Sequence, residues 1–254
     1  MKTIVSTLAL GVALAVATPA AAQTAADADT FVAKAEKELA DLNVYGQQVA
    51  WINNTYITDD TDAVAARVGT LGTELSVRLA GEAAKYQALP GLSAATKRKL
   101  DFLRGGLVLP APTTPGAANE LNTIATRLNS QYGKGKGTLN GKPINGSDIE
   151  EKMGTSRNPA ELSEMWASWH TGVGAPMRDD YAKMVEIANK GAKELGYADV
   201  GAMWRSQYDM PADDFAVLTD KLWAQVKPLY DALHCYTRTK LNEKYGDAVQ
   251  AKTG

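Results

Sequence analysis

Apolar residues spaced three and four apart, segment after segment, constrain this chain more than any other feature. Phe31, Ala35, Leu39, Leu42, Tyr45, Val49 and Ile52 form one such stripe between Asp27 and about Asn53. Val64, Val68, Leu71, Leu75, Leu79 and Tyr86 form a second between Asp59 and Tyr86, with Asp59, Asp60 or Thr61 available as its cap. This spacing puts apolar side chains on one face of a helix, and strands alternate with period two instead. The first two segments are separated by a short polar patch, so they are expected to form a hairpin of helices. Ser93 caps a third run ending at Gly105-Gly106, and Pro110, Pro112 and Pro115 mark a stiff connector. Ala117 to Tyr132 is helical again through Leu121, Ile124 and Leu128. The last run, Pro211 to Tyr245, carries Phe215, Leu218, Leu222, Val226, Leu229, Leu233 and Leu241, with Pro228 expected to kink it. No β-pattern of any length and no internal repeat is present. The fold class is therefore all-α, with long helices packed against each other.

Local signals agree best between Asn158 and Asp209. Asn158 suits a helix cap, Pro159 the first helical position and Glu161 the third. Gly172 and Gly174 are expected to interrupt, and a run from Met177 to Leu195 stops at Gly196. A short run follows with Met203, Trp204 and Tyr208. The stretch holds Trp166, Trp169 and Trp204, three of the five Trp residues, and His170, one of two His. Three helices meeting through Trp residues predict one rigid wall.

Composition excludes several classes. With 27 Lys and Arg against 29 Asp and Glu, and no dense basic stretch, nucleic acid is not expected as a partner. Residues 1–22 read as a secretory signal peptide: Lys2, an apolar segment from Ile4 to Ala17, and Ala20-Ala21-Ala22 before Gln23. Its short Ala-rich style is that of a bacterial exported protein, so a periplasmic or secreted location is expected. No membrane span is expected after its removal. Cys235 is the sole cysteine and is expected to be a buried, inert thiol, with no internal disulfide.

Chemistry is sparse. His170 and His234 are the only imidazoles, and no H-E-x-x-H is present, so no metal site is expected within the chain. No G-x-S-x-G elbow appears. The Gly-Lys repeats of Gly133 to Ser147 fail the spacing of a phosphate loop and read as an exposed basic loop or short hairpin. Asp179-Asp180 and Asp213-Asp214 sit near helix starts, where they answer the helix dipole. His170 either donates a hydrogen bond at a helix end or faces a cleft or an ion. Arg205 either binds an anion or pairs with a carboxylate.

Several segments match a known pattern in one order. Trp51-Ile52-Asn53-Asn54-Thr55-Tyr56-Ile57-Thr58 is similar to a W-N-Y-N-T-N-I-T segment. Gly154-Thr155-Ser156-Arg157 and Trp166-Ala167-Ser168-Trp169-His170 are similar to A-T-S-R followed by W-E-G-W-R/H. Ala202 to Tyr208 is similar to Y-W-R-S-x-Y. Lys227-Pro228-Leu229-Tyr230, Leu233-His234 and Lys240 to Asp247 are similar to K-P-L-Y-x-x-L-H and R-x-x-L-x-x-x-Y-G-D. Across nearly all of the chain after the signal peptide, this order resembles the N-terminal part of the angiotensin-converting enzyme family of zinc peptidyl-dipeptidases.

The resemblance implies a helical ellipsoid with a deep cleft, of which residues 23–254 supply the lid and one wall. It implies removal of dipeptides from peptide C-termini, with oligopeptides as substrate. In the family, zinc is held by H-E-x-x-H and a downstream Glu, whose positions follow the region matched here. The chain is thus expected to be a truncated member, inactive alone, with zinc and chloride as cofactors of a full-length member only. Tyr208 matches a chloride-ligating Tyr of animal members. His170 stands where members carry Arg, for a second chloride, or His. Both anion sites are expected to be incomplete. A Glu that contacts substrate in some members aligns near Gly146. A non-catalytic periplasmic helical binding or interaction module is the alternative.

Overall fold

The structure, a computed structural model, describes residues 23–246. The expected signal peptide and the segment from Asp247 onward lie outside the described residues. Within them the chain runs as α1 (Ala25–Thr55), α2 (Asp59–Ala83), α3 (Ala94–Gly105), α4 (Ala117–Lys134), β1 (Lys136–Leu139), β2 (Lys142–Asn145), α5 (Gly146–Thr155) and α6 (Pro159–Trp169). A π turn (His170–Gly174) and a 3₁₀ turn (Ala175–Met177) lead into α7 (Arg178–Glu194), then α8 (Val200–Arg205) and α9 (Ala212–Tyr245). The all-α class holds.

α1 starts two residues early because Thr24 and Asp27 form a reciprocal capping box, and it extends to Thr55. The polar patch at its end locks the α1–α2 turn. The Asn53 side-chain amide donates to Asp62 Oδ1 at 2.8 Å, and Thr55 Oγ1 donates to the Trp51 carbonyl at 2.7 Å. The α2 cap is Thr58, not the Asp59, Asp60 or Thr61 expected. Thr58 is extended (φ −133°), so its hydroxyl can accept from the Thr61 N–H while Thr61 Oγ1 accepts from the Thr58 N–H. Helical residues further in cannot adopt that geometry.

Three apolar clusters hold the body together. Phe31, Val32 and Ala35 meet Leu79, Ala83 and Leu100, joining α1, α2 and α3. Leu121, Ile124 and Leu128 meet Met184 and Ile187, joining α4 to α7. Ala80 and Leu107 meet Ala188, Ala192, Val200 and Met203, joining α2 to α7 and α8. The prolyl connector runs between them against Gly191. A Cβ there would lie 2.4 Å from the Pro110 carbonyl oxygen, so only glycine permits this approach.

The basic loop is an antiparallel hairpin, Lys136 pairing with Asn145 and Leu139 with Lys142. No strand was legible by alternation because each has four residues. The turn itself carries the signal: Asn140 and Gly141 both have positive φ (52° and 71°), as an Asn-Gly two-residue turn requires. Glu164 of α6 clamps it, accepting from the Asn140 and Gly141 N–H groups at 2.9 and 3.0 Å. α5, capped by Asn145, was not expected.

The α ladder is interrupted where Gly172 and Gly174 were expected to interrupt it, between Trp169 and Arg178, but by a π turn and a 3₁₀ turn through which the chain stays helical. Pro176 lacks the N–H that would continue the α ladder, and the Ala175 N–H instead reaches the His170 carbonyl five residues back, widening the turn. α9 is also not packed along its length. None of its residues is buried, and Leu222, Val226, Leu229 and Leu233 are 49–71% exposed. Cys235, expected to be buried, is therefore exposed on it.

Candidate functional site

The stretch expected to form a wall, Asn158 to Asp209, holds α6, the π and 3₁₀ turns, α7 and α8. The Asn158 side chain caps α6 by accepting from the Ala160 N–H at 3.0 Å, with Pro159 at the first helical position. At the far end of α6, Trp166 and His170 are four residues apart on one face, and their rings stack at 4.1 Å and 28°. His170 Nδ1 lies 2.7 Å from the Trp166 carbonyl, which can only accept. The neutral ring is thus the Nδ1–H tautomer, and Nε2 carries the lone pair. Both residues are exposed. Of the two readings of His170, the helix-end hydrogen bond is present, and it leaves Nε2 available on the surface.

The Trp residues do not meet one another as expected. Each grips a different neighbour. Trp169 packs edge-on against Tyr132 of α4 at 5.6 Å and covers Gly146, whose absent Cβ would lie 2.9 Å from the indole. That contact leaves no room for a larger side chain at Gly146 without displacing the indole. Trp204 Nε1 donates to the Val108 carbonyl at 2.7 Å, tying α8 to the connector. An open cavity of about 690 Å³ lies beside Trp169, lined by Tyr132, Asn145, Gly146, Ile149 and Glu150.

Tyr208 follows α8, and its ring stacks on Phe215 of α9 at 4.0 Å and 11°. Among the described residues its hydroxyl has no hydrogen-bond partner, and no ring, ionic or hydrogen-bonding contact joins it to His170. Neither side chain makes a hydrogen bond or cation–π contact with a Lys or Arg side chain there. Arg205 has no ion pair among the described residues. His234 stacks loosely on Tyr230 at 5.8 Å, on α9.

Of the acidic pairs, Asp180 behaves as a structural group. Asp180 accepts two hydrogen bonds from Arg127 Nε and Nη2, each 2.6 Å, and these hold its carboxyl below the usual range. Glu164 is likewise held low by the backbone N–H groups of Gly141 and Asn140. Among the described residues no three His, Cys, Asp or Glu side chains gather as metal ligands would.

Sequence reasoning missed a larger cavity of about 710 Å³ between α2 and α4, where Asp62, Arg67, Thr123, Arg127, Ser130 and Lys134 meet. Burial pushes the Asp62 carboxyl up, but hydrogen bonds from Ser130 and Asn53 and the Lys134 ammonium outweigh it, so the net shift is downward. No local motif signals this site, because its residues come from two helices about sixty positions apart.

The family model described as angiotensin-converting enzyme matches residues 22–254. The angiotensin-converting enzyme of Haematobia irritans exigua is 28% identical over 234 residues, covering 89% of this chain and 37% of that protein. That of Mesocricetus auratus is 33% identical over 142 residues, 54% of this chain and 11% of that protein. That of Theromyzon tessulatum is 36% identical over 107 residues, 42% of this chain and 17% of that protein. The chain thus spans well under half the length of these relatives. With the motif order, the helical architecture and this match agreeing over the same residues, the chain belongs to the angiotensin-converting enzyme family.

Proposed function

We propose that this chain forms the lid and one wall of the cleft of an exported zinc peptidyl-dipeptidase that removes dipeptides from the C-termini of oligopeptides. The lid is formed by the N-terminal helices, and the wall is the stretch from Asn158 to Asp209, α6 to α8. The observation that carries the reading is the unbroken family match from residue 22 to residue 254 on an all-α fold. In this reading zinc and its H-E-x-x-H ligands belong to polypeptide other than residues 23–246, and these residues alone do not catalyse. In this reading Tyr208 and His170 stand at chloride positions whose cationic partners come from that same other polypeptide. Residues 1–22 direct export to a bacterial periplasm or the medium.

The test is turnover of a blocked tripeptide by the purified chain, with and without added zinc. No turnover in either condition is expected, and metal-dependent release of a dipeptide would overturn the assignment of catalysis elsewhere. The exposed stripe of α9 favours one second reading, a non-catalytic periplasmic interaction module. A dye that fluoresces on apolar surface separates the two. A wall without its counterpart binds the dye strongly while natively folded, whereas a self-sufficient monomeric module does not.

A further inference from the structure

Two Asn-Gly pairs stand at either end of β2, Asn140-Gly141 and Asn145-Gly146. Asparagine followed by glycine is prone to closing into a succinimide, because no side chain on the second residue hinders its nitrogen. The structure restrains the two pairs differently. The Asn145 side-chain oxygen accepts from the Asp148 N–H at 2.8 Å as the cap of α5, and the Trp169 indole covers Gly146. The Asn140 side chain is exposed, with no hydrogen-bond partner among the described residues, and nothing lies within 4 Å of where a Gly141 side chain would begin. Here the restraint acts on the backbone. Both residues take positive φ in the two-residue turn, and Glu164 of α6 accepts both of their N–H groups. Closure requires the Gly141 nitrogen to lose its proton and swing onto the Asn140 side-chain carbon. The Glu164 carboxylate opposes both steps: it holds that N–H in the closed turn, and its negative charge disfavours the nitrogen anion.

We propose that Asn140 is a site of spontaneous deamidation guarded by Glu164, and that its conversion unlocks the hairpin from α6. In the reaction the Gly141 nitrogen bonds to Asn140 Cγ, the Cγ–Nδ2 bond breaks, and ammonia leaves with the proton from the Gly141 nitrogen. Water then opens the ring at either carbonyl and leaves aspartate or isoaspartate at position 140. The aspartate product sets a second carboxylate beside Glu164. The isoaspartate product adds a carbon to the main chain of a turn whose length fixes the register of β1 on β2. That register seats the hairpin. The Thr138 N–H donates to Ser168 Oγ of α6 at 2.8 Å, and a Cβ on Gly137 would fall 2.9 Å from both Ser168 Oγ and Ile149 Cδ1. A modified chain therefore loses the close seat of the hairpin beside Trp169. This chemistry belongs to the hairpin and stands apart from the peptidase reading, so the turnover assay does not bear on it.

The test is to age the purified chain near neutral pH and map its peptides, separating asparagine, aspartate and isoaspartate at each Asn-Gly pair. Asn145 in the same sample is the internal reference. In the parent, Asn140 is expected to convert more slowly than in the urea-unfolded chain. Glu164→Ala is expected to speed conversion at Asn140 by about fivefold or more relative to Asn145. Glu164→Gln keeps an acceptor oxygen without the charge and is expected to speed it by less. Equal Asn140 rates in the parent and in Glu164→Ala would overturn the guard. So would a parent rate equal to that of the unfolded chain, or an equal acceleration at Asn145, which marks general unfolding. The unlocking is read by amide exchange at Thr138. The aged fraction, separated by its added negative charge, is expected to exchange this N–H about tenfold or more faster than the unmodified fraction. Equal exchange in the two fractions would overturn that half of the proposal.

Discussion

Gly191→Ala should destabilise the protein, although the same exchange at most helical glycines does the reverse. Gly191 lies inside α7 and faces the prolyl connector. Replacing a mid-helix glycine by alanine gains about 1 kcal/mol of helix propensity. Here the new methyl would stand 2.4 Å from the Pro110 carbonyl oxygen, 2.6 Å from its carbon and 2.7 Å from the Ala111 carbonyl carbon. All three are backbone atoms, so no rotamer change relieves the clash. The connector or α7 must move, and both border apolar clusters. Overpacking of this kind costs roughly 1–3 kcal/mol, and contact with three backbone atoms puts it near the upper end. The net loss should be about 1–2 kcal/mol, or roughly 3–6 °C in Tm for a chain of this size. Gly72→Ala is the control: its Cβ meets nothing within 4 Å, so only the propensity gain of roughly 0.5–1 kcal/mol remains. Denaturant unfolding of both variants reads the sign. If Gly191→Ala is as stable as the parent, the close approach of connector and α7 described here is wrong.

Other consequences follow from single contacts. The Asp180 carboxyl is lower in the folded than in the unfolded chain because of Arg127, so its contribution is full above the unfolded pKa and lost as pH falls through the folded one. Tm measured from neutral pH into the acid range should therefore fall less steeply in Asp180→Asn below about pH 4 than in the parent. Thr58→Ala removes the α2 capping box and should cost about 1 kcal/mol in urea unfolding, while Asp59→Ala, outside that box, should cost less. Cys235 should react with a thiol reagent in the native protein at one equivalent per chain; reaction only after denaturation would contradict its exposure. Glu164→Ala should speed amide exchange at Asn140 and Gly141 selectively, because their N–H groups lose their acceptor.

Sequence alone determined the long helices and many of their ends, because those depend on local physics, though it did not determine α5. Apolar spacing marks a face, Ser93 and Asn158 can cap only where the chain enters a helix, and Gly196 takes a φ of 90° that other residues resist. The motif order carried the family for the same reason: it is a property of the string. What sequence could not decide depends on which faces meet. The stripe of α9 is as regular as that of α1, and periodicity cannot say that one finds a partner within these residues and the other does not. Cys235 was misplaced with it. The Trp residues were expected to share one contact, yet each is claimed by a different neighbour: Trp169 by Tyr132, Trp204 by the Val108 carbonyl and Trp166 by the His170 ring four residues on. The π turn arose from a missing N–H at Pro176 acting on a carbonyl in the preceding turn. Tertiary structure alone brought Gln207 onto Gly105, because the close approach of two segments a hundred positions apart leaves no trace in the local spacing of either.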